Sequence, residues 1–319
     1  MARDAGTRIQ TPYGRNTGFR IRVIQDFKHN KYKYFIVLPV IIYLILFAYK
    51  PMYGIIIGFK DFRVTRGIMN SPWVGFYQFK KFFNDIYFGR LIKNTFLISL
   101  YSMLWGFPAP ILLALLLNEL KNQKFKKIAQ TVTYMPHFIS IVVICGMIRA
   151  FSVSDGIFND IIAFFGGARK PLLQDPSLFR TIYIASGIWQ SIGWNSIIYM
   201  ASISGIDQEQ YEAAKIDGAN RLQQAVHITV PGITPTIITL FVLGMGGMLS
   251  VGSEKILLLY QPLTYEVADV ISTYTYRIGM LNAEYSYSTA IGLFNSVINV
   301  FFLVGANQVI KRVHGSALF

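Results

Sequence analysis

Six stretches of this chain, residues 34–57, 94–118, 131–151, 181–203, 232–251 and 288–310, are dominated by apolar side chains and carry no Asp or Glu. A helix needs about 20 such residues to cross a hydrocarbon core. A backbone inside lipid must satisfy its own hydrogen bonds, so such segments form helices unless they close into a barrel. The expectation is an all-α integral membrane protein with about six transmembrane helices. Lys50 and Pro51 interrupt the far end of the first run, leaving two candidate ends, Tyr49 and Ile57. The chain is 53% hydrophobic and 14% charged over 319 residues, which excludes an ordinary soluble domain. Cys145, the sole cysteine, falls in the third run and reads as a small buried hydrophobe.

Basic residues orient the spans. With the N-terminus inside, segments 1–33, 119–130, 209–231 and 311–319 are cytoplasmic and hold 16 Lys and Arg, against 10 in the outer segments 51–90, 152–179 and 252–287. The bias favours both termini inside. Residues 1–33 read as a basic arm and 34–319 as the transmembrane domain, with an amphipathic helix over 19–34 lying on the inner surface and leading from one into the other. The net charge of +14 is concentrated in that arm and in Lys121, Lys124, Lys126 and Lys127 beside spans. Topology and anionic lipid account for it without nucleic acid. His29, His137, His227 and His314 have no metal-ligand spacing.

Between the fourth and fifth runs lies a polar, helix-forming loop, 207–231, whose part EQYEAAKIDGANRLQQAVHITVP begins at Glu209. Glu212, Ala213, Ala214 and Lys215 favour helix, and Gly218 disfavours it. A helix from about Gln208 to Asp217 should stop at Gly218. Asn220 or its predecessors should cap a second short helix through Ala225, with Pro231 opening the next apolar run. The product is a helix, a turn and a helix at the membrane surface.

The spacing E-A-A-x3-G-x9-I-x-V-P, from Glu212 through Gly218 and Ile228 to Pro231, resembles the cytoplasmic EAA loop of the permease subunits of binding-protein-dependent ABC importers. Val230 is its one departure, at a position where the family usually has Leu. Asn94–Leu100 (NTFLISL), Gly106–Leu120 (GFPAPILLALLLNEL), Thr133–Ser140 (TYMPHFIS), Tyr260–Gly279 and Tyr285–Val300 look like the carbohydrate branch. They are closest to permeases for oligosaccharides, including uronate- or rhamnose-containing polysaccharide fragments. The resemblance covers roughly 33–319. It implies a helix bundle around a path shared with a second, related permease. It also implies two ABC ATPase subunits, which hold the ATP and Mg, and an extracytoplasmic solute-binding protein. The EAA glutamate makes an ionic contact with the ATPase in that family, a role that falls on Glu212. Ala213 and Ala214 would allow close packing and Gly218 would give the turn. Asp217 and Arg221 are either contacts or solvated groups, solvation being the commoner state.

A sugar path needs hydrogen-bonding groups and aromatic faces. The fourth run offers Trp189, Gln190, Trp194 and Asn195, the fifth Met245, Gly246 and Gly247, and the sixth Asn295 and Asn299 on one helix face. Such residues either line a pathway or glue helices together, and both readings stand. Aromatic residues of the first outer segment, Trp73 to Phe88, suit either an interfacial belt or a docking surface. Glu254 and Lys255 could pair with each other or meet the binding protein.

An ion-coupled secondary carrier would place carboxylates within its spans, and these runs have none. A membrane enzyme would need clustered carboxylates, a metal set or a nucleophile with its base. Asp155, Asp160 and Asp175 share an outer segment without such partners. With no G-x-x-x-x-G-K-[ST], the chain is expected to hold no cofactor itself and to draw energy from another subunit.

Overall fold

A computed structural model describes residues 29–314; most of the expected amphipathic helix at 19–34 lies outside them. The described residues are helical apart from connections and one isolated bridge between Lys60 and Trp73. The described residues divide into two units, parted between Ile56 and Ile57. The principal helices are α1 (Lys31–Phe59), α2 (Phe88–Asn118), α3 (Gln123–Phe138), α4 (Ile141–Phe151), α5 (Pro176–Ser204), α6 (Gln208–Ile216), α7 (Arg221–Met245), α8 (Ser253–Leu259) and α9 (Tyr285–His314).

Among the described residues, α1, α2, α7 and the 285–312 part of α9 are long and apolar enough to cross a membrane. α1 does not stop at Tyr49. It widens into a π turn over Ile45–Tyr49, just before Pro51, whose missing N–H breaks the regular ladder, and then tightens into 3₁₀ turns over Tyr53–Phe59. The expected third span is not one straight helix. α3 and α4 meet at a 98° bend. Pro136 lies in the tight last turn of α3, Ile139 is extended, and Ser140 Oγ accepts from Val142 N at 3.3 Å to start α4 afresh.

α5 contains the expected fourth run and has 29 residues, about 43 Å at ~1.5 Å per residue, ample for a crossing. It is too polar to stand among the apolar helices, and it packs on α2, α3 and α7. Ala114, Tyr199, Ile203 and Ile233 close one core there. The fifth run ends earlier than expected, at Met245, and residues 246–250 form a chain of tight turns.

Segment 252–287 is folded rather than looped. Ile256, Leu259, Ala268 and Val270 from it join Ile98, Ile144, Cys145, Phe179 and Val251 in a buried core, so Cys145 has the packing role expected of it. Asp269, wholly buried, accepts from both terminal nitrogens of Arg277 at 2.8 and 2.7 Å and from Arg90 at 3.3 Å. Asn94 donates to the carbonyls of Glu266 and Asp269 and accepts from Arg180. Asp160 pairs with Arg169 and Asp175 with Lys170. The aromatic residues of the first outer segment divide: Phe82 is buried against Phe88, Tyr287 and Phe294, whereas Trp73, Phe76 and Tyr77 are exposed.

Candidate functional site

The helix–turn–helix begins at Asp207, whose Oδ1 accepts from Glu209 N at 3.0 Å and caps α6. α6 ends where the sequence expects. Ala219 N donates to Ala214 O and Gly218 N to Lys215 O, a Schellman closure that places Gly218 at φ +79°, where a Cβ is strained. Asn220 and Gln223 then form a reciprocal capping box, with Asn220 N donating to Gln223 Oε1 and Gln223 N to Asn220 Oδ1. The second helix does not end at Ala225. It passes through a π turn over Ala225–Thr229 and continues as the span α7, so the turn is joined directly to a membrane helix.

α6 has two faces. Gln208, Tyr211 and Lys215 line a polar cavity of about 750 Å³ with Glu119, Ser204, Arg221 and Gln224. Tyr211 Oη and Thr229 Oγ1 share a hydrogen bond at 2.9 Å, tying α6 to the base of α7. Arg221 Nη1 donates to the Glu119 carboxylate at 2.7 Å, tying the turn to the end of α2; it is a contact within the chain rather than a solvated group. Glu209, Glu212 and Ile216, spaced for one helix face, are exposed, Ile216 to 87%. Among the described residues nothing pairs with the Glu212 carboxylate. Ala213 is exposed beside it, while Ala214, Asp217 and Gly218 line a second hollow of about 300 Å³ with Gln223 and His227. Tyr211 and Glu119 were invisible in the sequence. Tyr211 sits at an unremarked position of the loop, and Glu119 is 102 residues from Arg221.

The proposed path residues separate into groups. Gln190 lies in the wall of a cavity of about 270 Å³ between α2, α5 and α8, with Ser102, Gly187, Ser191 and Lys255. Asn195 lies in the wall of another, about 200 Å³, with Phe107, Pro110, Tyr199 and Leu240. Gly106 borders both, so the two cavities succeed one another along the α2–α5 groove. Trp189 faces an apolar cavity of about 530 Å³ with Met147, Phe151 and Phe158. Trp194 stacks on the His137 ring, centroids 4.5 Å apart and nearly parallel.

Asn299 Oδ1 accepts from Leu249 N at 2.8 Å and its Nδ2 donates to Ser250 Oγ at 3.0 Å; Asn295 Nδ2 reaches Leu249 O at 3.4 Å. These two amides fasten α9 to the turn that follows Met245, Gly246 and Gly247. There Gly246 comes so close to Leu303 that a Cβ would lie 3.3 Å from its Cδ1. Lys255 is not paired with Glu254. Its Nζ donates to Tyr183 O at 2.8 Å and lies 4.7 Å from the centre of the Tyr183 ring. Burial pushes its ammonium down to about 8.

The family described as "Binding-protein-dependent transport system inner membrane component" matches residues 106–315. Protein LplB of Bacillus subtilis (strain 168) is 40% identical over 293 residues, covering 92% of each chain. The polygalacturonan/rhamnogalacturonan transport system permease protein YteP of the same organism is 41% identical, again over 92% of each. Among solved structures, a chain of a bacterial ABC transporter involved in the import of the acidic polysaccharide alginate is 44% identical. It superposes with a TM-score of 0.85 over 92% of this chain and 99% of that one. The same kind of transporter in complex with an alginate pentasaccharide-bound periplasmic protein gives 42% and 0.85. Matched by the family over about two thirds of its length, and aligned to these relatives over nearly all of it, the chain belongs to the inner membrane components of binding-protein-dependent transport systems.

Proposed function

We propose that this chain is one of two permeases in an ATP-driven importer of oligosaccharides, taking uronate- or rhamnose-containing fragments of polysaccharides from an extracytoplasmic solute-binding protein. The likeness to YteP and to the alginate importer supports the substrate class. The second permease is a related chain, making a heterodimer. Two ABC ATPase subunits beneath it bind the ATP and Mg, and both termini of this chain face them. The substrate passes along α2, α5, α7 and α9, past Gln190, Asn195 and the Met245–Gly247 turn. Trp189, Trp194, Asn295 and Asn299 shape the helices around it.

The observation that carries this reading is Glu212, unpaired among the described residues, on one face of a helix whose opposite face is fastened to two membrane helices. A push on α6 reaches α2 through Arg221 and Glu119, and α7 through Tyr211 and Thr229. Gly218 and Asn220 fix the angle at which it does so. Movement of the ATPases against Glu212, Ala213 and Ala214 is thereby converted into movement of spans, with Asp217 at the rim.

The test is reconstitution of the chain with its partner permease, ATPases and binding protein. Glu212→Arg is expected to abolish oligosaccharide uptake and binding-protein-stimulated ATP hydrolysis, and Gly218→Pro to do the same. Wild-type uptake rates in both variants would overturn the proposal. So would repeated purification of the chain, alone and active in transport, without an ATPase.

A further inference from the structure

Most cations that enter the interior of the second unit meet a carboxylate or an amide. Arg90 and Arg277 share Asp269, and Arg180 donates to Asn94. Lys255 does neither. Among the described residues no carboxylate lies within ion-pair distance of its Nζ, although the side chain is largely withdrawn from water. An ammonium has three donors, and the Tyr183 carbonyl uses one. Leaving a charge so placed without a counter-charge is costly, and an ionisable group held in this way at the edge of a cavity marks a ligand site more often than it serves packing.

The surroundings suit a sugar acid. The cavity of about 270 Å³ that Lys255 borders is near the small end of ligand pockets, which run from ~300 to ~1,000 Å³. Its wall carries the Gln190 amide and the Ser102 and Ser191 hydroxyls. Ser191 donates to Gly187 O, which leaves its oxygen free to accept from a sugar hydroxyl. The hollow continues past Gly106 toward Asn195.

From this arrangement we infer that Lys255 is an anion-selecting subsite of the permease, holding the carboxylate of a uronic acid unit while Gln190 and Ser191 take its hydroxyls. The inference rests on the oligosaccharide-import reading and adds to it a place where acidic sugars are distinguished from neutral ones. The Tyr183 carbonyl and ring hold the ammonium in place without neutralising it, so the site is charged before the sugar arrives.

The test uses the whole reconstituted complex and trigalacturonate. Lys255→Met is expected to lower uptake roughly tenfold, the loss of one charge-assisted contact. Lys255→Arg should restore most of it, and both variants should copurify with the ATPases. Gln190→Glu, which sets a carboxylate in the same cavity, should also depress uptake of the acid. Lys255→Met at the wild-type rate overturns the inference, and so does Lys255→Arg failing as badly as Lys255→Met, which would mean that shape rather than charge matters. If Lys255→Met fails to assemble, Gln190→Glu decides, with unchanged uptake counting against the subsite. A wild-type complex that imports no oligosaccharide defeats the parent reading instead.

Discussion

Arg221 holds Glu119 twice: Nη1 donates to the carboxylate at 2.7 Å and to the backbone carbonyl of the same residue at 3.1 Å. One side chain thus clamps the turn between α6 and α7 onto the end of α2. Both partners are partly exposed, and such pairs stabilise by only about 0.2–1 kcal/mol. Arg221→Met is therefore expected to leave the melting temperature of the purified complex nearly unchanged. Binding-protein-stimulated ATP hydrolysis should become uncoupled from uptake, because the link to α2 is lost. Swapping the charges, Glu119→Arg with Arg221→Glu, should recover part of the coupling. An equal loss in melting temperature and in uptake would assign the pair to stability instead.

One close helix contact, between α5 and α3, depends on a glycine. A Cβ at Gly193 would fall well inside contact distance of the Thr133 carbonyl and against the Tyr134 ring. The obstruction is backbone, so it cannot rotate away. Gly193→Ala is expected to force α5 from α3 and destabilise the complex by about 1–3 kcal/mol, the usual range for overpacking. Thermal unfolding in detergent would show it. Gly146→Ala, where nothing lies near the added carbon, is the control.

Features fixed by neighbouring residues were legible in the sequence. The stop at Gly218 and the cap at Asn220 follow from chemistry within four residues, and both stand where the sequence places them. The apolar runs likewise locate the long helices. The bend at Ser140 was harder, because the surrounding apolar run outweighs one proline and one capping serine. Which neighbour a polar residue meets was not legible at all. Gln190 and Trp189 are adjacent in sequence but point about 100° apart on a helix, and so border different cavities. Asn299, midway along the sixth run, and Lys255, just past the fifth, give no sign in the sequence of what they meet. Only the fold reveals that one is satisfied by the Leu249–Ser250 turn and the other faces a cavity. The fastening of segment 252–287 on Asp269 joins residues 179 apart, beyond the reach of any local pattern.

That fastening makes a sharp prediction. Asp269 is wholly buried between two arginines and also accepts from Thr273 at 2.7 Å. Removing its charge leaves Arg277 and Arg90 facing each other without compensation, a change that typically costs about 3–5 kcal/mol. Asp269→Asn is expected to abolish stable membrane insertion or lower the melting temperature by many degrees. Arg277→Lys should also destabilise, since a lysine cannot make the paired donation at 2.8 and 2.7 Å. A variant Asp269→Asn that melts like wild type would refute the role.

A second carboxylate, Asp85, carries a pH dependence. Asp85 Oδ2 accepts from the hydroxyls of Tyr274 at 2.6 Å and Tyr287 at 2.7 Å. Partial burial pushes its carboxyl up. The two tyrosines, the Tyr87 amide and nearby Lys81 outweigh burial and hold it below the usual carboxylate range. A depressed folded-state value means that the charged form binds its surroundings better than the neutral form. The resulting stability is fully present above the unfolded carboxylate value of about 3.9 and is lost as pH falls through the lower folded value. Asp85→Asn should therefore melt below wild type at pH 7, and the gap should narrow as the pH is taken below about 4. Tyr274→Phe should raise the folded-state value and move the loss to higher pH. A gap between wild type and Asp85→Asn that stays constant from pH 7 to pH 3 would mean that the contact of Asp85 with the tyrosines does not depend on its charge.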